Sequence, residues 1–159
     1  MTQLRGMAVT LTTAPDSEAG TDDKLFIGVI GAGGGREFPL DSPAEDFIEG
    51  KTEKFVLGSI WEGNVIDNET KFPLESQPGQ NNDPAYMYVD MDLVNIVYLR
   101  KQESGQVYRL QGLEVRLYGP SAPSRKVFHF LNTTAAPKPP LWMSLAYGNV
   151  VYLGETRLS

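Results

Sequence analysis

The sequence predicts an all-β domain, an eight-stranded antiparallel sandwich of two sheets, and three observations carry that prediction. Apolar residues recur with period two in short runs, Gly- and Pro-containing turns separate the runs, and a single short stretch carries a helix signal. The 159 residues, 41% hydrophobic and 21% charged, have the composition of one globular domain covering 1–159. The spacing of about eight runs along such a length suggests a sandwich.

The first run sets Met7, Val9 and Leu11 on one face and Ala8, Thr10 and Thr12 on the other, the pattern of a half-buried strand. Residues 24–30 (KLFIGVI) are apolar in both phases, as in a strand covered on both sides. They end in a glycine cluster, 31–35, across which 36–40 return antiparallel. Further strands are predicted at 52–57, 94–101, 112–118, 126–131 and 150–154. Phase assigns Phe26, Phe55, Val97 and Leu113 to the core. The helix signal covers 44–49, with Ser42 as cap and Pro43 in the first turn. Residues 58–85 hold three prolines and the polar run QPGQNNDP, and read as a loop insertion with a short hairpin around Trp61 and Phe72.

Composition excludes several functions. A net charge of -6 disfavours the nucleic acid backbone, whose affinity comes from Lys and Arg displacing counterions. The absence of cysteine removes disulfides, thiol nucleophiles and zinc–thiolate centres. No run is long and apolar enough for a transmembrane helix, and no secretion signal is recognisable, so the cytoplasm is the default expectation. Charge is uneven: residues 1–99 carry -11 and 100–159 carry +5, which would polarise the molecule if the two segments occupied different faces.

No catalytic residue is expected. The glycine cluster imitates a dinucleotide turn, but Arg36 stands where the third glycine belongs, and Glu37, Phe38, Pro39 and Leu40 read as strand, not as the helix that would hold a pyrophosphate. His129 is the single histidine and lies between phenylalanines in a strand, a packing or edge position more than a general base. No nucleophile elbow, HExxH pair or phosphate-cradling loop is present. Paired carboxylates that cleave glycosides are disfavoured because the acidic loops lack an aromatic platform for sugar.

The acidic turns suit a hard cation. Asp16, Glu18, Asp22 and Asp23 surround Gly20 and Thr21, and Asp41, Glu45 and Asp46 lie in the next connection but one. Calcium takes six to eight oxygens from carboxylates, carbonyls and water, which irregular loops supply readily. The same spacing also fits a solvated acidic edge, and both readings stand at this level.

The stretch from 12 to 58 resembles the first half of a PLAT domain, the β-sandwich module shared by lipoxygenases, polycystins, lipases and clostridial alpha-toxin. Matching features are Ala19-Gly20-Thr21-Asp22 before a strand, then Leu40-Asp41-Ser42-Pro43, then Asp46-Phe47 followed by Gly50 and Phe55. The runs VNIVYLR at 94–100 and YRLQGLEV at 108–115 are similar to the family's later core strands. The resemblance implies a module that binds without catalysing. It implies one calcium site at Gly20, Thr21, Asp22, Glu45 and Asp46, and a weaker second site in which Glu18 and Gln106 replace the family's acids. It also implies docking on membrane lipid, with a protein partner as the alternative. The loop 103–106 lacks the aromatics of lipid-inserting members, leaving Trp61 and Trp142 as candidate contacts with membrane or partner.

Overall fold

A computed structural model describes residues 2–40, 47–58, 60–62, 65–67, 84, 88–102, 106–121, 125–130, 140–144 and 146–156. Eleven strands follow in chain order: β1 (Gly6–Thr13), β2 (Leu25–Gly31), β3 (Gly34–Leu40), β4 (Thr52–Gly58), β5 (Ile60–Glu62) and β6 (Val65–Asp67). Then come β7 (Val94–Lys101), β8 (Tyr108–Tyr118), β9 (Arg125–Phe130), β10 (Leu141–Met143) and β11 (Val150–Thr156). The eight strands read from the sequence are β1 to β4, β7 to β9 and β11. Together they form one antiparallel path in the order β3-β2-β7-β11-β9-β8-β1-β4.

That path makes a nearly closed, barrel-like antiparallel sheet wrapped around one core. Val9, Ile27, Phe38, Phe55, Val97, Val115, Phe128 and Leu153, from eight different strands, belong to a single cluster of buried side chains. β11 closes the path. Val150–Leu153 pair with β7, and from Gly154 onward the strand pairs with β9. A residue without a side chain at the hand-over lets the strand bend there. The ends of the path are blunted as edge strands usually are, with Pro39 in β3 and Lys54 in β4.

One strand was not read from the sequence. β10 pairs with Tyr108–Leu110 at the start of β8, before the β9 register begins at Leu113. Its three residues are too few to show a period. β5 and β6 form the separate hairpin expected around Trp61, whereas Phe72 lies outside the described residues. Ile60 packs with Ala8, Val56 and Tyr118 in a small second cluster over the outer face of β1 and β4.

Two expectations need correction. Phe26 is not a core residue: Leu25, Ile27 and Val29 point inward, and Phe26 stands half-buried on the opposite face. Because both phases of β2 are apolar, alternation could not say which faced the core. Phe55, Val97 and Leu113 are buried as expected. The helix at 44–49 begins outside the described residues, and its described end is not helical, since Phe47 has φ 58 and Glu49–Gly50 form a turn. A right-handed helix requires negative φ, and the buried Phe47 ring, packed on Phe55 and Tyr108, fixes the alternative.

Candidate functional site

The loop joining β1 to β2 is held down from both sides. Ala14 N–H donates to the Arg109 carbonyl at 3.0 Å, and Arg109 N–H donates to the Ala19 carbonyl at 2.9 Å. These bonds extend the β1–β8 pairing into the loop, so Gly20, Thr21 and Asp22 sit at one end of the sheet.

The end of the 41–46 connection meets them there. Thr21 N–H donates to the Phe47 carbonyl at 3.2 Å, and Phe47 N–H donates to Glu53 Oε1 at 2.7 Å. Gly20 permits this approach. A Cβ at Gly20 would lie 2.5 Å from the Phe47 carbonyl oxygen and 3.2 Å from the Glu49 carboxylate. Glu18 and Phe47 both adopt left-handed backbone, φ 68 and 58, on either side of the contact. Non-glycine residues held in that region concentrate where the surrounding structure over-determines a functional shape.

Gln106 arrives from the chain leading into β8. Its Oε1 accepts from the Thr21 hydroxyl at 3.0 Å and from Asp22 N–H at 2.9 Å. The Thr21 hydroxyl in turn accepts from Asp23 N–H at 3.0 Å. Thr21 is therefore buried and fully engaged, whereas the Asp22 and Glu18 carboxylates are exposed. The structure brings Gly20, Thr21, Asp22 and Gln106 together, so residues assigned to two cation sites share one hydrogen-bonded unit. Glu45 and Asp46 lie outside the described residues. Among the described residues no three His, Cys, Asp or Glu side chains gather closely enough to hold a metal.

Two bases that sequence reasoning missed stand behind this edge. Lys101 Nζ lies 2.5 Å from Asp23 Oδ2, and the two side chains are 1% and 10% exposed. Arg109 pairs with Asp16 and lays its guanidinium 5.0 Å over the Trp142 ring. Trp142 is thus half-buried and occupied on one face; Trp61 lies in β5, and its side chain is outside the described set. The signal for Lys101 was available: in β7 it shares the inward phase of Val97 and Leu99, an unusual place for an ammonium.

Among the described residues, the acidic N-terminal and basic C-terminal segments meet side by side. β2 and β7 are neighbours, and three ion pairs join the acidic N-terminal segment to the basic C-terminal one: Lys101 with Asp23, Arg100 with Glu37 at 2.8 Å, and Arg109 with Asp16. His129 sits on the outer face of β9, its Nε2 3.0 Å from Glu114, which also binds Arg116.

A second surface stands out on the face of β2, β7 and β11 turned away from the core. Register aligns Ile30 with Ile96, Gly28 with Tyr98 and Tyr152, and Phe26 with Arg100 and Val150. The Tyr98 ring lies over Gly28, where a Cβ would come within 2.0 Å of it, and meets Tyr152 edge-on at 6.2 Å. Tyr152 is 69% exposed, and Ile30, Ile96 and Val150 are exposed as well.

No family model and no curated protein sequence matches the chain. Solved structures do. A lipoxygenase variant, Delta413-417:GS LOX, aligns with TM-score 0.54 at 14% identity over 96% of this chain and 16% of its own. Coral 8R-lipoxygenase, whose published description speaks of calcium activation via a C2-like domain, aligns at 0.52 with 15% identity over 94% and 17%. Alpha toxin from Clostridium absonum aligns at 0.51 with 16% identity over 98% and 30%. At such identities the likeness concerns the fold. The chain spans less than a third of the length of each of these proteins.

Proposed function

We propose that the chain is a PLAT-like two-sheet β-sandwich, an accessory module without catalysis of its own, which uses calcium to dock on a membrane lipid surface. The observation that carries this reading is the Thr21 N–H to Phe47 carbonyl bond, which ties the loop holding Asp22 to the connection holding Glu45 and Asp46. The exposed Asp22 carboxylate fits a hard cation that other oxygens help to hold. Glu45, Asp46 and the Gly20 carbonyl are the further donors this reading requires, because the described side chains alone do not complete a site. Calcium suits irregular loops of this kind, and bound there it would present positive charge to anionic headgroups. The likeness to coral 8R-lipoxygenase, described as calcium-activated through a C2-like domain, supports the same assignment. The test is co-sedimentation with phosphatidylserine-containing liposomes. Pelleting in calcium, lost in EDTA and in Asp22→Asn, is the expected result.

One observation favours a second reading. The exposed Tyr152, Ile30 and Ile96 on the outer face of β2, β7 and β11 make an apolar surface suited to a protein partner. That reading expects no lipid-dependent pelleting under either condition.

A further inference from the structure

We infer that Lys101 acts as a built-in cation at the 16–24 edge, holding Asp23 and the loop against β7 in place of a second bound metal ion. The inference rests on the reading of this edge as cation-binding, and goes beyond it by assigning one of the cation positions to a side chain.

Three observations support it. First, the ammonium is placed as a structural ion would be: 2.5 Å from Asp23 Oδ2 and 3.0 Å from the Gln102 carbonyl, with the side chain 1% exposed. The strand fixes it there from both sides, because Lys101 N–H donates to the Asn149 carbonyl at 2.8 Å and Asn149 Nδ2 donates to the Lys101 carbonyl at 3.2 Å. Second, two of the oxygen donors at this edge are already engaged. Gln106 Oε1 holds Thr21 and Asp22, and Asp16 is neutralised by Arg109. Third, the loop hangs on the same strand: Gln102 N–H donates to the Lys24 carbonyl at 2.8 Å, and Lys24 N–H donates to Gln102 Oε1 at 3.2 Å. Asp23 is thereby carried to the end of β7, where a largely buried carboxylate needs a positive partner. A fixed ammonium supplies that charge at any calcium concentration. One consequence is an edge whose shape persists without metal, leaving Asp22 to respond to calcium.

The test compares the unmodified chain with Lys101→Met, Lys101→Arg and the double variant Lys101→Met/Asp23→Asn. Each is melted in EDTA and in millimolar calcium. Lys101→Met leaves Asp23 without its ammonium, so calcium should substitute. Its apparent calcium affinity should exceed that of the unmodified chain about tenfold, an extra rise of about 3 to 5 °C in Tm. Lys101→Arg and the double variant should show no extra rise. A Lys101→Met chain unfolded in EDTA but folded in calcium is the extreme form of the expected result. Equal calcium responses in Lys101→Met and the unmodified chain overturn the inference, as does a Lys101→Met chain unfolded in both conditions, or an extra rise that persists in the double variant. The two readings fail separately. A null calcium response in the unmodified chain counts against calcium docking, whereas the difference between variants judges Lys101.

Discussion

Arg100 lays its guanidinium 4.3 Å over the Phe26 ring, on the face of the sheet turned away from the core, and the same side chain pairs with Glu37 on β3. Three strands are thus stitched together outside the core: Phe26 from β2, Arg100 from β7 and Glu37 from β3. The contact turns a half-buried aromatic into a platform for a charge, worth ~0.5 to 1 kcal/mol at a solvent-facing site.

Truncation should separate the two phenylalanine positions. Phe55→Ala removes a ring 1% exposed and leaves a cavity, at a cost of ~3 to 5 kcal/mol. Phe26→Ala should cost about 1 kcal/mol, because solvent can fill the space that the outer ring vacates. Denaturant unfolding of both variants checks the order. Equal losses would mean that Phe26 is covered in solution.

Tyr108 provides a buried test. Its hydroxyl lies 2.7 Å from Thr13 Oγ1 inside the core. Burial pushes the phenol well above its ordinary value near 10, and the hydrogen bond to Thr13 opposes that only in part. A pKa raised on folding contributes stability that is complete below the unfolded value and lost as pH rises through the folded one. Tyr108 should therefore ionise only as the protein unfolds in alkali, visible as a step in absorbance that coincides with the loss of structure. Tyr108→Phe should abolish that step and cost ~1 to 3 kcal/mol, since the Thr13 hydroxyl loses its partner in the core.

Glu114 governs the acid side. Partial burial pushes its carboxyl up, but hydrogen bonds from Arg116 and His129 and the charges of both outweigh burial, and the pKa falls below the ordinary carboxylate value. The sign is opposite to that of Tyr108: the stabilisation is present above the unfolded pKa and lost as pH falls through the folded one. Unfolding of the unmodified chain and of Glu114→Gln should differ at neutral pH and converge below about pH 4. A gap that stays constant down to pH 3 would show that the Glu114 charge contributes nothing.

How far the sequence could be read follows from what each residue pattern encodes. All eight strands of the main path were legible as short apolar runs, most of them through the period-two alternation that burial of one face imposes. The same rule was silent in β2, where Phe26, Gly28 and Ile30 are as apolar as the inward set. β10 escaped because three residues show no period. At the edge, Gly20, Thr21 and Asp22 were legible as a turn rich in oxygen ligands. Of their partners, Gln106 was named only through the family resemblance and Lys101 was not named, because both lie about eighty residues away and meet the loop through the β2–β7 pairing and the Ala19–Arg109 bond. Even so, a lysine in the inward phase of β7 is a local anomaly that alternation exposes, and it marks the place where the missing partner of Asp23 sits.

Calcium should raise the melting temperature of the unmodified chain. The Asp22 carboxylate is exposed, and its loop is bonded through Thr21 to Phe47, the residue next to Asp46. A divalent cation held by both segments would add to that single bond and draw on carboxylates that otherwise repel one another. Binding to the native state alone, at about 100 times the dissociation constant, adds ~2.7 kcal/mol. At ~2 to 4 °C per kcal/mol for a domain of this size, the rise should be about 5 to 10 °C. Magnesium should do far less, because it demands stricter octahedral geometry and gives up water reluctantly. Asp22→Asn and Asp46→Asn should each reduce the calcium response. For Asp22→Asn, an exposed position, the EDTA curve should stay within ~0.5 kcal/mol of the unmodified chain. Identical curves for the unmodified protein in EDTA and calcium would leave the edge a solvated acidic surface held together by Lys101 and Arg109. Docking would then pass to the apolar face around Tyr152, where a protein partner and not a lipid headgroup is the fitting ligand.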